Sequence, residues 1–404
     1  MKNTFFSVFL VILSVFVTAM VLSGCAGGTL TVPGAAFNTP VGTLYTPNVN
    51  VPLASNENTS TYAPSASTAT ATPTSNSSAV TSTPINISTS SAPVAPTISV
   101  SSISTLYKAT GVSIEDNMNG VAFGDGMFVA VGSNNETGGA VILTSVDGKE
   151  WKAVSVNGVN TLNDIAYGNG IFVAVGNNGS SGGVALTSNN GINWTAVSLN
   201  VNYLTGIAYG NGMFVTAGFN KPSPTVRVMF DIITSSNGSN WSIVNTHYGY
   251  SEGVSYSNGY FVAPYISESY NWGMPGCKNI DYSSNGQDWG INHLNWSTNI
   301  GINSSVYANQ IFIFGGYNGL YEETSSNNIV TVNNSVSINK LAYIGGVIIA
   351  VGKSSSNMGE VLLSNDGSSF NSISSMPSVQ ALNGVTYGNG ILVVVGNNGA
   401  ILYS

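Results

Sequence analysis

Apolar positions over the last three quarters of the chain fall in short β-type runs that return at regular intervals. The stretch from Val121 to Gly132 (VAFGDGMFVAVG) comes back at Ile165 (IAYGNGIFVAVG) and Ile207 (IAYGNGMFVTAG). Weaker copies begin at Val254, Ser305 and Leu341, and a clean one begins at Val385. The intervals are 44, 42, 47, 51, 36 and 44 residues, in the range of repeat arrays whose units cannot bury an apolar face alone. Within the clear copies two β-runs flank Gly-Asn-Gly or Gly-Asp-Gly. Those residues tolerate positive φ, so each copy predicts a tight hairpin.

A second motif follows the stronger copies. It reads Ser145, Asp147, Gly148, Trp151; then Ser188, Asn190, Gly191, Trp194; Ser235, Asn237, Gly238, Trp241; and Ser283, Asn285, Gly286, Trp289. Ser364, Asp366, Gly367, Phe370 is a looser fifth copy, and the repeat near Ser325 has lost most of the pattern. Short polar side chains there bond loop amides, Gly takes the left-handed position and the aromatic clamps the turn. Two hairpins per repeat predict a four-stranded antiparallel meander.

These turns resemble the BNR, or Asp-box, repeat of sialidase-type β-propellers, over residues from about 103 to 404. The resemblance implies an all-β, seven-bladed β-propeller and says little about activity, because Asp-boxes are structural turns remote from catalytic centres. The chain stops at Ser404, where a seventh Asp-box would begin, so the outer strand of the last blade is expected from the other end of the domain. There Tyr107 to Val112 aligns with Trp151 to Val156. Such a strand would close the ring and leave no open sheet edge.

Ahead of the repeats, residues 1–24 read as a signal peptide, with Lys2 before an apolar run that ends in Leu22-Ser23-Gly24-Cys25. This resembles the bacterial lipobox, which implies cleavage before Cys25 and a lipidated thiol; a single transmembrane anchor is the other reading. Ala26 after the Cys implies the outer membrane in a diderm host, and a monoderm host would hold the anchor on the outer face of its one membrane. Residues 25–104 hold nine of the 14 prolines, much Ser and Thr, and Glu57 as their single charge. They cannot bury enough apolar surface to order themselves and read as a tether. The propeller is expected over residues 105–404.

Composition then narrows the function. Charged residues make up 6% of the chain, where soluble domains average about 25%. Nine cations against 17 acids argue against nucleic acid as a partner. The single arginine, Arg227, excludes sialidase chemistry, which resembles a site with three arginines, a Tyr–Glu pair and an acidic Asp. No HxxxH, CxxC or EF-hand spacing suggests a metal, and no cofactor is expected. Cys277 is the only thiol besides Cys25, and it reads either as a buried, inert Cys or as a reactive one.

The repeat breaks where function is expected. Long insertions follow Gly218 and Tyr265, and distinctive connections run from His247 and from His293. Strand order puts all four above blades three to five. They carry Trp272, Trp296, Tyr248, Tyr250, Tyr270, His247, His293 and Arg227, either as an aromatic platform for a glycan or protein ligand or as the small core that long loops need. Asp231, Glu252 and Glu268 are the carboxylates available to a glycoside-acting enzyme. Asp164 and Lys340 precede their first strands where other repeats mostly have Gly; they either face each other near a channel mouth or are solvated loop charges. The leading expectation is a membrane-anchored, non-catalytic binding or adhesion module. An envelope assembly scaffold comes second, and a glycoside-acting enzyme third.

Overall fold

The computed structural model describes residues 103–179, 182–220, 228–251, 253–267, 278–293, 301–323, 329–333 and 335–404. The signal peptide, Cys25 and the tether, together with Arg227, Glu252, Glu268, Tyr270, Trp272, Cys277 and Trp296, lie outside the described residues. All regular structure among the described residues is β.

A short strand β1 (Tyr107–Lys108) precedes the repeats. Repeat one is β2 (Asp116–Gly124), β3 (Met127–Asn134), β4 (Ala140–Ser145) and β5 (Lys152–Val154). Repeat two is β6 (Thr161–Gly168), β7 (Ile171–Asn177), β8 (Gly183–Ser188) and β9 (Thr195–Leu199). Repeat three is β10 (Tyr203–Gly210), β11 (Met213–Asn220), β12 (Met229–Ser235) and β13 (Ser242–Ser251). Repeat four is β14 (Ser255–Ser257), β15 (Tyr260–Ser267), β16 (Lys278–Ser283) and β17 (Gly290–His293). Repeat five is β18 (Ile302–Ala308), β19 (Ile311–Gly316), β20 (Gly319–Glu323) and β21 (Ile329–Asn333). Repeat six is β22 (Val336–Ile344), β23 (Val347–Ser354), β24 (Gly359–Ser364) and β25 (Asn371–Ser372). The last is β26 (Leu382–Gly388), β27 (Ile391–Gly396) and β28 (Ile401–Tyr403).

Every repeat pairs antiparallel and in sequence order, as the hairpins predict. The sheets of repeats three and four are joined, because β13 runs on past its own sheet and pairs Gly249, Tyr250 and Ser251 with Ser267, Ile266 and Tyr265 of β15. The last repeat takes its fourth strand from the N-terminal side, with Tyr107 opposite Tyr403 and Lys108 opposite Leu402. That register is one residue off the alignment of Tyr107 with Trp151: Tyr107 sits where Lys152 sits against Thr144. The Tyr107 ring lies 5.7 Å from that of Tyr403.

The second strand of each repeat is buried on both faces, so its sequence is a continuous apolar run rather than an alternating one. Phe128 to Val131 are wholly buried, as are their counterparts around Phe172 and Phe214. An apolar core lies between each repeat and the next. Val129 and Val131 meet Phe172 and Leu186 between repeats one and two, and Met118 and Phe128 meet Val393 and Ile401 between the last repeat and the first. The lead-in residues Ile103 and Leu106 are buried with Val361 and Ile373 of repeat six.

Two local devices explain the recurring Tyr-Gly-Asn-Gly. The hairpin turns take positive φ at both central residues, as at Asn169 (49°) and Gly170 (76°). The Gly before them is needed for packing: a Cβ on Gly124 would stand 2.1 Å from the Tyr167 ring of the next repeat, and one on Gly168 would stand 2.2 Å from that of Tyr209. At the second motif the expected bonds form. Ser145 Oγ accepts from Gly148 N at 2.9 Å, Asp147 Oδ1 accepts from Lys149 N and Glu150 N, and Trp151 Nε1 donates to the Gly148 carbonyl. Asn190, Asn237 and Asn285 accept the matching pairs of amides through Oδ1. Only that oxygen takes those bonds, which is why Asn replaces Asp there without loss.

Candidate functional site

Six of the seven innermost strands, all but β14, carry a β-bulge; the extra residue is Thr205 in repeat three and Asn in the other five: Asn119, Asn163, Asn303, Asn339 and Asn383. Each stands two residues ahead of its apolar run. A bulge leaves one residue out of the ladder and re-aims its side chain. Here each amide donates to the backbone of the following repeat: Asn119 to Leu162 O at 2.9 Å, Asn163 to Leu204 O at 2.6 Å, Asn303 to Ile338 O at 2.8 Å, Asn339 to Leu382 O at 2.9 Å. Asn383 donates at 3.0 Å to Met118 O, 265 residues back along the chain. An Asn at one fixed offset in five copies is the signal of these residues in the sequence.

The next position carries Asp164 in repeat two and Lys340 in repeat six. The Lys340 ammonium donates to Asp164 Oδ2 at 2.6 Å, with the side chains 28% and 8% exposed. Asp164 is held by its own amide neighbourhood as well, accepting from Ile165 N at 2.9 Å and Ile207 N at 3.3 Å. Of the two expectations for these residues, the facing pair is the one realised. The pair lies between two cavities bounded by the innermost strands of all seven repeats. One, of about 370 Å³, is rimmed by the asparagines with Tyr203 and Tyr317. The other, of about 290 Å³, is lined by Phe123, Tyr167, Tyr209, Tyr256 and Tyr343.

An aromatic run leads away from the asparagine-rimmed cavity. Tyr203 stacks on Phe219 with centroids 5.1 Å apart, and Tyr250 meets Phe219 edge-on at 6.4 Å. Of the residues expected on a platform, Tyr248 is 50% exposed and Tyr250 44%. His293 lies on β17 opposite Asn279. His247 is not on the open surface. It turns into the contact between repeats three and four, where its Nε2 lies 2.7 Å from Asp281 Oδ2. Its ring stacks parallel to Tyr265 at 4.7 Å.

Asp281 interrupts the apolar pattern of the repeats. It stands two before Ser283, where the repeats with Ser145, Ser188, Ser235 and Ser364 have Leu143, Leu186, Ile233 and Leu362. Its side chain is fully buried, His247's 18% exposed, and Asn245 Nδ2 also donates to it at 2.9 Å. Its other oxygen, Oδ1, is buried with no hydrogen-bond partner among the described residues. Burial, reinforced by the Asp281 charge, holds the Tyr265 hydroxyl well above the usual phenol range. Asp231, a candidate carboxylate for glycoside chemistry, is buried on the other face of its sheet and accepts from Thr246 Oγ1 at 2.7 Å. Among the described residues no three His, Cys, Asp or Glu side chains converge as metal ligands.

Comparison with known proteins bears on the fold. No protein-family profile and no curated protein matches the sequence. Solved structures do match. The WD40 β-propeller domain of Doa1 aligns with 12% identity and a TM-score of 0.53, over 74% of this chain and 95% of that one. The structure of U3-55K aligns with 9% identity and a TM-score of 0.51, over 74% and 98%. The WD40 repeats of RRP9 give 9% and 0.51, over 76% and 98%. At these identities the likeness shows the fold alone: the described residues form a β-propeller similar to those of WD40 domains.

Proposed function

We propose that the protein is a lipid-anchored, seven-bladed β-propeller that acts as a non-catalytic binding module, holding a glycan or protein ligand at the asparagine end of its channel outside the cell membrane. One observation carries the binding reading. The polar cavity rimmed by Asn119, Asn163, Asn303, Asn339 and Asn383 opens beside Tyr203, the first member of the Tyr203–Phe219–Tyr250 run, so polar and aromatic recognition elements meet at one end of the channel. Seven blades are supported by the succession of interfacial cores, including the one between the last and first repeats. Lipidation rests on the lipobox at Cys25.

Screening the full-length protein on glycan arrays and by capture from envelope extracts tests the binding reading. Replacing Tyr248 and Tyr250 together with Ala should abolish capture while the melting temperature stays within about 2 °C, as expected for exposed positions. Capture that survives both changes would overturn the platform. Loss of radiolabelled palmitate on Cys25→Ser tests the anchor.

A further inference from the structure

We propose that the asparagine-rimmed cavity is a pocket for the terminal residue of a neutral saccharide, with the Lys340–Asp164 pair as its floor; this rests on, and deepens, the reading of the protein as a binding module. Four features of the cavity select that ligand. The first is charge. Among the described residues, Asp164 and Lys340 are its only ionisable side chains apart from the two tyrosines, and they neutralise one another at 2.6 Å. An anion entering the pocket would meet Asp164 and a cation would meet Lys340, each competing with a pair already made. A neutral polyhydroxyl ligand displaces neither.

The second feature is the supply of hydrogen-bonding atoms. The amide nitrogens of Asn119, Asn303 and Asn339 are committed to the next repeat. Among the described residues no hydrogen bond reaches their Oδ1 atoms, and all three residues line the cavity, so in the proposal those oxygens serve as acceptors for ligand hydroxyls. The Lys340 ammonium has three donors and commits one to Asp164. Its remaining N–H groups are donors to ring or hydroxyl oxygens from below. Alternating donors and acceptors are what a pyranose presents, and an aliphatic side chain has nothing to offer them.

The third feature is the mouth. Tyr317, in the turn between β19 and β20 of repeat five, is 57% exposed, and Tyr203 of repeat three also lines the cavity. Aromatic faces there give the C–H face of a sugar ring an apolar wall. The fourth is continuity. Tyr203 passes directly to Phe219 and Tyr250, so a second and third sugar residue would leave the pocket along an aromatic track. The volume of about 370 Å³ lies at the small end of ligand pockets, suited to one end of a chain and not to the whole of it.

The test uses the full-length protein in detergent, with saturation-transfer NMR against the methyl glycosides of glucose, galactose, mannose and N-acetylglucosamine and against methyl glucuronide. At least one neutral glycoside should bind, and the glucuronide more weakly. Lys340→Met and Tyr317→Ala should each weaken that binding by roughly tenfold, the scale of one charge-assisted hydrogen bond or one aromatic contact. Tyr317→Phe should retain it, which separates loss of the wall from loss of the fold. Tyr250→Ala should weaken a trisaccharide of the same sugar more than the monosaccharide. Absence of binding by every neutral glycoside, tighter binding of the glucuronide, or binding indifferent to both Lys340→Met and Tyr317→Ala would each overturn the pocket. Capture of a protein partner that persists when no glycoside binds would remove the pocket and leave the binding module standing.

Discussion

Lys340 and Asp164 are 176 residues apart in the chain, and their side chains meet at 2.6 Å between the two cavities that the innermost strands bound. The carboxylate would be satisfied in part without the lysine, since Ile165 N and Ile207 N both donate to it. Breaking a buried ion pair from one side is costly, because the remaining charge loses its compensation; exposure to channel water reduces the cost. Lys340→Met should therefore destabilise the fold by about 1–2 kcal/mol. Asp164→Asn should cost less, and the double variant less than the sum. A double-mutant cycle by denaturant unfolding measures the coupling, and strict additivity would mean that the pair contributes nothing.

The contact between repeats three and four gives a sharper expectation. Between repeats two and three, Val197, Leu199 and Ile233 pack as an apolar set. At the corresponding positions one interface on stand Asn245, His247 and Asp281, bonded to one another. The polar set matches only itself. Asp281→Ile alone should leave the Asn245 and His247 donors unsatisfied, at a cost of about 2–4 kcal/mol. The triple variant Asn245→Val, His247→Leu, Asp281→Ile should recover most of that loss, because the matched apolar set already exists next door. Midpoints of urea unfolding compare the two, and a triple variant no better than the single one would show that the polar set is not a self-contained unit.

How much of this was legible in the sequence follows from the range of each interaction. Hairpins and Ser-to-Trp turns are local, and the residues that make them, such as Asn169-Gly170 and Ser145 to Trp151, lie side by side in the chain. The bulge asparagines were legible in principle, since Asn119, Asn163, Asn303, Asn339 and Asn383 share one offset, but their acceptors lie in other repeats. Position alone could suggest that Asp164 and Lys340 meet; only the curvature of the sheets brings them within bonding distance. Asp281 was hidden for a different reason. Acids are common on exposed strand faces, and its meaning appears only when β16 is laid against β12 and the apolar register of the other repeats is seen to be broken.

The turn carboxylates Asp147 and Asp366 predict a small acid sensitivity of definite sign. Amide bonds from Glu150 and Lys149 hold the Asp147 carboxyl below the usual carboxylate range, and amides of Ser369 and Ser368 with the Ser364 hydroxyl do the same for Asp366. A carboxyl whose folded value is lowered contributes stability that is full above its unfolded value of about 3.9 and is lost as pH falls through the folded value. Asp147→Asn with Asp366→Asn should be close to neutral at pH 7, because Asn190, Asn237 and Asn285 make the same turns. The variant should lose less stability than the parent between pH 4 and pH 2. Melting curves across that window provide the check, and identical acid profiles would show that these turns do not sense protonation.

The short N-terminal strand carries more of the fold than its two paired residues suggest. Ala109 N donates to Ile401 O at 2.9 Å, Thr110 N to Lys149 O and Trp151 N to Thr110 O, so this segment is sewn to the last repeat and then to the first. Ile103 and Leu106 fill the core beside repeat six, and Ala109 that between the last repeat and the first. If the strand closes a ring, its removal opens an edge and exposes apolar surface in two interfaces at once. Deleting residues 103–114 should then lower the melting temperature by at least about 10 °C, since two buried aliphatic side chains alone account for some 3–6 kcal/mol at about 25 cal/mol per Å². A synthetic peptide of residues 103–114 added in trans should restore part of the loss in a concentration-dependent way, as for any ligand of the folded state. An unchanged melting temperature after deletion would contradict closure by this strand. A large loss that the peptide does not rescue would place the effect in folding rather than in the closed edge.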